Sequence, residues 1–296
     1  MSVYQQIFSK GRLMLAKMRA YWVLTKFRQS MLLLITGLAG YNSATGHLAG
    51  NGELYPMLGS LYLAICGSTV LNMVIDRDID RKMNRTAKRP LATGVLSVKE
   101  ALAFGLVLSV AGIGWAFALS ALYGWIVAIG LFIDVVVYSV WLKRRTPFSI
   151  VLGGISGGMP ILAGRALGLG SVDLIGVLLV LAILLWIPTH ILTFSIKYAE
   201  DYKRAGIPTF FSEYGEKITR LIIVWSTALA SIDMIVAVHL IGMKSYYFAA
   251  LFLSVLTLIG FAVICFFHPS PKRNFGLFKA ASTYMLISML LISMTM

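Results

Sequence analysis

Apolar positions along this chain fall in long unbroken stretches, not in the alternating or one-faced patterns of soluble strands and helices. A hydrocarbon core about 30 Å thick takes roughly 20 apolar helical residues to cross. Nine stretches meet or approach that length: Met31 to Ala49, Met57 to Ile75, Ala101 to Leu119, Trp125 to Leu142, Ile150 to Leu167, Leu174 to Ile196, Leu221 to Ile241, Tyr247 to Phe267 and Leu277 to Thr295. The first is the weakest, because Gly, Asn and Thr dilute its second half. The pattern predicts an all-α polytopic membrane bundle of nine transmembrane helices. One integral membrane domain covers residues 1–296, with residues 1–28 as a cytoplasmic N-terminal segment.

Composition agrees. Of 296 residues, 58% are apolar and 13% charged, so the chain cannot cover itself with polar groups and lipid must be its solvent. The net charge of +14 would suit nucleic acid only on a soluble module with a basic reading face, and none is present in the pattern. The basic residues instead mark orientation. The segment up to Arg28 holds six and the loop after helix two seven. The loops after helices four, six and eight hold three, five and three, leaving Arg165 and Lys244 alone on the other side. This places the N-terminus and the charged loops in the cytoplasm and the C-terminus outside, in a multi-pass protein of the cell membrane in contact with membrane lipid. The first 28 residues lack an apolar core ahead of a small-residue cleavage site, which predicts no signal peptide. Cys66 and Cys265 both fall inside spans, so no disulfide is expected.

The loop after helix two carries the most chemistry, reading Asn72-Met-Val-Ile-Asp76-Arg-Asp-Ile-Asp80-Arg-Lys-Met-Asn-Arg85-Thr-Ala-Lys-Arg89-Pro90-Leu. If helix two continues, Asn72, Asp76 and Asp80 line one face, about 6 Å of rise apart. Hard oxygen ligands of this kind suit magnesium held jointly by carboxylates and substrate phosphates. Asp78 is turned off that face, towards an arginine. Arg81, Arg85 and Arg89 lie beside the acids, and together the two charge types fit a magnesium diphosphate. The same residues also suit a solvated, salt-bridged loop, and spacing alone does not choose between them.

After helix six come His190, Lys197, Glu200, Asp201 and Tyr202. A continuous helix would put His190, Lys197 and Asp201 on one face, with Lys197 and Asp201 at the depth of Asp76 and Asp80. A local pair between Lys197 and Asp201 at the membrane surface is the plainer alternative. His190 lies about two turns deeper, where a polar ring needs a partner; packing and contact with an acceptor substrate, including a haem iron, are both open. Asp134 and Tyr138 are one turn apart and could bond the same group, while Asp134 and Asp233 equally suit structural bonds between helices. Gly153, Gly154, Gly157 and Gly158 are read as close helix packing.

These residues carry a resemblance. The Asn72, Asp76, Asp80 pattern at the end of the second of nine helices is similar to the first aspartate motif of the UbiA superfamily of intramembrane prenyltransferases. Asp76-Arg-Asp-Ile-Asp80 with Met83, Arg85-Thr86, Arg89-Pro90-Leu91 and Gly94 resembles its haem-farnesylating branch. So do Tyr138 to Pro147, and Trp186, Pro188 and His190 with Asp201-Tyr202 through Pro208. The likeness is strong from Leu71 to Pro208 and otherwise rests on helix count. Ser149, Met159, and Thr189 and Ile191 around His190 depart from the pattern. Lys197 stands where many members carry an aspartate, a change that looks characteristic of this branch and leaves the number of magnesium ions open.

The resemblance implies transfer of a farnesyl or longer isoprenoid from its diphosphate to a vinyl group of haem b, giving haem O. Haem is then a substrate and not a permanent cofactor. It further implies a downstream haem-modifying enzyme or oxidase assembly partner. On this reading Asp76, Asp80, Lys143, Lys197 and Asp201 are catalytic, and Asn72, Asp76, Asp80 and Asp201 hold magnesium. Asn72, Arg81, Arg85, Arg89, Tyr138, His190 and Tyr202 bind substrate. The rivals are a sister enzyme using a quinone precursor, a chlorophyll-type ring or a glycerol-phosphate lipid, and a secondary transporter. A transporter would place its charges at the midplane and show inverted repeats, and neither is found convincingly.

Overall fold

The computed structural model describes residues 3–46 and 52–294. Among them every regular element is helical. α1 (Val3–Leu24) and α2 (Phe27–Thr45) lead to α3 (Leu54–Ile75), then to short α4 (Arg77–Lys82) and α5 (Pro90–Thr93). α6 (Val98–Leu119), α7 (Ala121–Phe132) with a π-helical continuation (Ile133–Leu142), α8 (Ser149–Leu169) and α9 (Leu174–Lys197) follow. Short α10 (Ala199–Ala205) precedes α11 (Phe210–Ile241), α12 (Ser245–Phe267) and α13 (Pro271–Ser293). Eight of these are long and apolar enough to cross a membrane: α3, α6, α7 with its continuation, α8, α9, α11, α12 and α13. The first predicted span is occupied by α2; its predicted end at Ala49, like that of the last span at Thr295, lies outside the described residues.

Several helices start earlier than their apolar runs, because polar caps set the start. Ser97 and Glu100 form a capping box ahead of α6, Thr209 and Ser212 one ahead of α11, and Ser270 caps α13 with Pro271 at its first position. Gly215, at φ 76°, breaks α11 near its start.

Helices adjacent in sequence pack side by side, and α13 returns to α2, so the bundle closes into a ring. α2 on α8 and α9 on α13 close it from within. The first of these contacts depends on glycine. A Cβ on Gly40 would lie 2.0 Å from the Ile161 carbonyl oxygen, and one on Gly164 2.0 Å from that of Gly37. Close approach of this kind drives helix association where lipid removes the hydrophobic effect. Gly153 faces the Tyr138 ring, Gly154 and Gly157 face Ile187, and Gly158 faces Val180, in line with the packing expected of them.

At one end of the bundle Arg165 is buried, its guanidinium fork on Asp173 at 2.8 and 2.7 Å and on the Ser43 carbonyl at 2.7 Å. At the opposite end α1 buries Ala20 and Leu24 against Met73, Leu91, Leu96 and Ala101. It pairs Lys17 with Glu100 at 2.5 Å, while Met14, Leu15, Met18 and Trp22 stay exposed. An amphipathic helix of this kind suits the membrane interface. Its apolar content is too low to mark it as a span.

Candidate active site

α3 ends one residue before Asp76, which sits at a corner (φ −85°, ψ 2°) leading into α4. The Asp80 amide still donates to the Asp76 carbonyl at 2.8 Å, so the two acids keep their one-turn spacing. Asp76 is 7% and Asp80 3% exposed, and their environments differ. Lys143 donates to Asp76 Oδ2, whereas Asp76 Oδ1 is buried with no partner. Burial opposes the charge on Lys143, but Tyr138 and Asp76 outweigh it and raise the ammonium above the ordinary lysine value. Arg89 Nη1 donates to both oxygens of Asp80 at 2.8 Å. Asp78 points outward to Arg144, at 2.7 and 2.6 Å, and that hydrogen bond lowers its pKa. Arg81 does not join the acids; its Nε donates to the Ala92 carbonyl at 3.1 Å.

One turn deeper, Asn72 donates to Asp134 at 2.7 Å and accepts from Ser139 at 2.8 Å, and Ser68 also donates to Asp134. Asp134 therefore makes the structural bonds between helices left open by the sequence. Tyr138 does not share them: in the π-helical stretch its ring packs on Gly153, 5.4 Å from Lys143 Nζ. π-helical turns inside α-helices recur at functional sites.

The second loop corrects an expectation. α9 stops at Lys197, and Tyr198 (φ −110°, ψ 29°) breaks the chain before α10, so His190, Lys197 and Asp201 do not share one continuous helix. Lys197 Nζ lies 3.1 Å above the Phe275 ring and makes no ion pair among the described residues. Its local pairing with Asp201 is not found either. Asp201 turns across to the first loop, accepting from the Asn84 amide at 3.1 Å and the Arg85 amide at 3.3 Å. Arg204 donates to the Asn84 side chain at 2.7 Å, and Ile79, Met83, Ala205 and Ile207 make a small apolar contact beneath. The two charged loops are thus on one face and in direct contact. Arg85 reaches over the Phe194, Tyr198 and Tyr202 rings, 5.0, 5.7 and 5.7 Å from their centroids.

Among the described residues no three His, Cys, Asp or Glu converge as a ready metal cage. Of the expected ligands, Asn72, Asp80 and Asp201 are occupied by protein partners, and Asp76 alone keeps a buried free oxygen. One carboxylate oxygen, completed by substrate oxygens and water, is a donor set that fits magnesium.

Lys26 also belongs to this end of the bundle. Between α1 and α2 it adopts a left-handed conformation (φ 44°, ψ 52°), the one positive φ outside glycine among the described residues. Its ammonium has no hydrogen bond or ion pair among the described residues. Burial pulls it down to about 8, with Arg89 and Lys143 acting in the same sense and Asp76 and Asp134 against. Strain of this kind collects at functional sites. Nothing in the string Thr25-Lys26-Phe27 signals it.

Below the charged end a partly open apolar pocket lies between α2, α3, α7 and α8, with Ser68 and Asp134 at its polar end and Leu61, Val127 and Met159 along its walls. On the other flank His190 is stacked between Trp186 (4.8 Å) and Phe278 (4.6 Å), with Nδ1 3.1 Å from the Ser282 hydroxyl. Trp186 Nε1 donates to the Ala281 carbonyl at 2.9 Å, pinning the stack to α13. Asp233 keeps one buried oxygen unpartnered, remote in sequence from both loops.

Comparison with known proteins matches residues 33–290 to the UbiA prenyltransferase family. A protoheme IX farnesyltransferase of Archaeoglobus fulgidus is 38% identical over 275 residues, 93% of this chain and 95% of that protein. One of Aquifex aeolicus is 36% identical over 273 residues, 91% and 92% of the two chains. Among solved structures, digeranylgeranylglyceryl phosphate synthase superposes with a TM-score of 0.78 at 20% identity, over 94% of this chain and 98% of that one. A UbiA homologue from Archaeoglobus fulgidus bound to GPP and Mg2+ gives 0.68 at 17% identity, over 93% and 99%. At these identities the structures speak for the fold alone.

Proposed function

The chain belongs to the UbiA prenyltransferase family, and on that premise we propose that it transfers a farnesyl group from farnesyl diphosphate to a vinyl group of haem b in the cell membrane. The observation that carries the acceptor is the identity of 36 to 38%, over more than nine-tenths of the chain, with relatives named for haem farnesylation.

The residues fit the chemistry. Asp76 Oδ1 would hold magnesium, with Asp80 next to it at the same corner. Bound there, the ion neutralises diphosphate oxygens and makes them a better leaving group. Lys143, Arg89, Arg85 and Lys26 supply fixed cations at the charged end, where the developing negative charge of the departing diphosphate needs them. Asp201 acts as a clamp, holding the Asn84–Arg85 backbone so that Arg85 faces the site. The apolar cavity takes the isoprenoid tail, with its reactive carbon at the Asn72–Asp134 end, and keeps the allylic cation from water.

The bond order follows. The allylic carbon–oxygen bond breaks with its electrons leaving on diphosphate. The vinyl π electrons form the new carbon–carbon bond, and water adds to the resulting benzylic-type cation and sheds a proton. No protein nucleophile is required. His190, oriented by Ser282 through Nδ1, presents Nε2 to the acceptor and is proposed to ligate the haem iron.

The test is direct. Full-length protein given haem b, magnesium and isoprenoid diphosphates should yield a pigment heavier by one isoprenoid plus water, with quinone precursors unmodified. Prenylation of a quinone precursor with haem untouched would overturn the acceptor and leave the family mechanism standing.

A further inference from the structure

The haem acceptor carries two propionate carboxylates on one edge, and the cations assigned above, Lys143, Arg89, Arg85 and Lys26, serve the diphosphate. Two further lysines share one ring beside the His190 stack. Lys197 Nζ lies 3.1 Å and Lys279 Nζ 4.9 Å from the centroid of one ring, Phe275. Both are exposed, and neither has a carboxylate partner among the described residues. The negative face of an aromatic ring offsets part of a cation's charge, but two ammonium groups over one ring still repel each other. An anion with two carboxylates would satisfy both.

The ring they share belongs to a column. Phe275 stacks on Phe278 at 5.6 Å with 7° between planes, Phe278 stacks on His190 at 4.6 Å and 29°, and His190 on Trp186 at 4.8 Å and 24°. The Nε2 lone pair lies in the imidazole plane, and a metallated tetrapyrrole stands perpendicular to it. A haem on His190 would therefore lie parallel to the column axis, flat along the edges of these rings. Followed towards the membrane surface, that axis runs through Phe278 and Phe275 to the two ammonium groups. Along α9, His190 and Lys197 are seven residues apart, about 10 Å of rise. That is on the scale of the distance from a haem iron to the ends of its carboxylate arms.

Resting on the haem reading above, we propose that Lys197 and Lys279 clamp the two propionates of the acceptor, with Phe275 as the platform between them. This gives Lys197 a role at the acceptor, in place of the one beside the diphosphate that its sequence position suggested. It gives Lys279, which no motif marks, a role for the first time. The carboxylates stay at the water edge, so the clamp costs little dehydration, and it fixes which edge of the macrocycle faces the bundle.

Absorbance titration of the full-length protein with haem b and with its dimethyl ester separates the propionate contacts from the rest. Wild type should bind haem b more tightly than the ester. Lys279→Met and Lys197→Met should each weaken haem b about tenfold, as loss of one charge-assisted hydrogen bond does, and leave the ester unchanged. Lys279→Arg should restore haem b binding. Retained ester binding serves as the control for folding. The clamp is wrong if both methionine variants bind haem b as wild type does, or if they weaken the ester equally, since the lysines would then only shape the stack. Absence of any haem spectrum in wild type would overturn the haem reading itself and the clamp with it.

Discussion

Asp76 and Asp80 look equivalent in the sequence, one helical turn apart between the same arginines. Their surroundings divide them. Asp80 spends both oxygens on Arg89, whereas Asp76 shares one with Lys143 and keeps the other buried and free. A buried acceptor without a partner is costly and marks a place for a ligand. Asp76→Asn should therefore raise the magnesium concentration for half-maximal diphosphate release by at least the roughly 10–100-fold that loss of a supporting metal contact costs. Asp80→Asn should loosen Arg89 and raise KM for the isoprenoid diphosphate with a smaller change in magnesium dependence. Titrating magnesium against both variants checks the division. Equal magnesium shifts would mean that the two acids share the ion. The sequence supplied the residue types and their spacing, but which acid keeps a free oxygen depends on Arg89, nine positions from Asp80, and on Lys143, 67 positions from Asp76.

Elements were legible where lipid dictates them and illegible where tertiary contacts do. A spanning segment must bury every backbone polar group in a helix of fixed length, so the spans stand out from apolar runs alone. The break at Tyr198, the corner at Asp76 and the π-helical stretch from Ile133 to Leu142 leave no such trace, and they are what aim Lys197, Asp201 and Tyr138. The cavity between α2, α3, α7 and α8 is a product of these packed elements, and its walls should set the isoprenoid length accepted. Ser156 lines it from α8 and is only half-buried, so a larger side chain has room to turn inward. Ser156→Phe should penalise farnesyl diphosphate more than geranyl diphosphate, by about the 1–3 kcal/mol of an overfilled apolar site. Competition between the two substrates at fixed haem reads the ratio directly, and an unchanged ratio would place the tail elsewhere.

At the scale of the whole molecule, function depends on which face carries the charged loops. The contact between the Asn84–Arg85 backbone and Asp201 puts both loops at one end, with α1 lying beside them, and the Arg165–Asp173 pair at the other. Which end meets the cytoplasm is a separate matter, carried by the bias of basic residues. With 24 of 26 at the loop end, that end should be retained inside the cell. Water-soluble diphosphate would then be released into the cytoplasm, and haem would enter with its carboxylates at the same surface. Cys66 and Cys265 are buried, which leaves a quiet background for labelling. Single cysteines at the exposed positions Lys88, Lys203 and Lys244 sample both ends. In intact cells a membrane-impermeant maleimide should modify Lys244→Cys and spare Lys88→Cys and Lys203→Cys, which should react only after the membrane is opened. Labelling of either loop position from outside would invert the topology, placing the diphosphate site on the wrong side of the membrane for a cytoplasmic substrate.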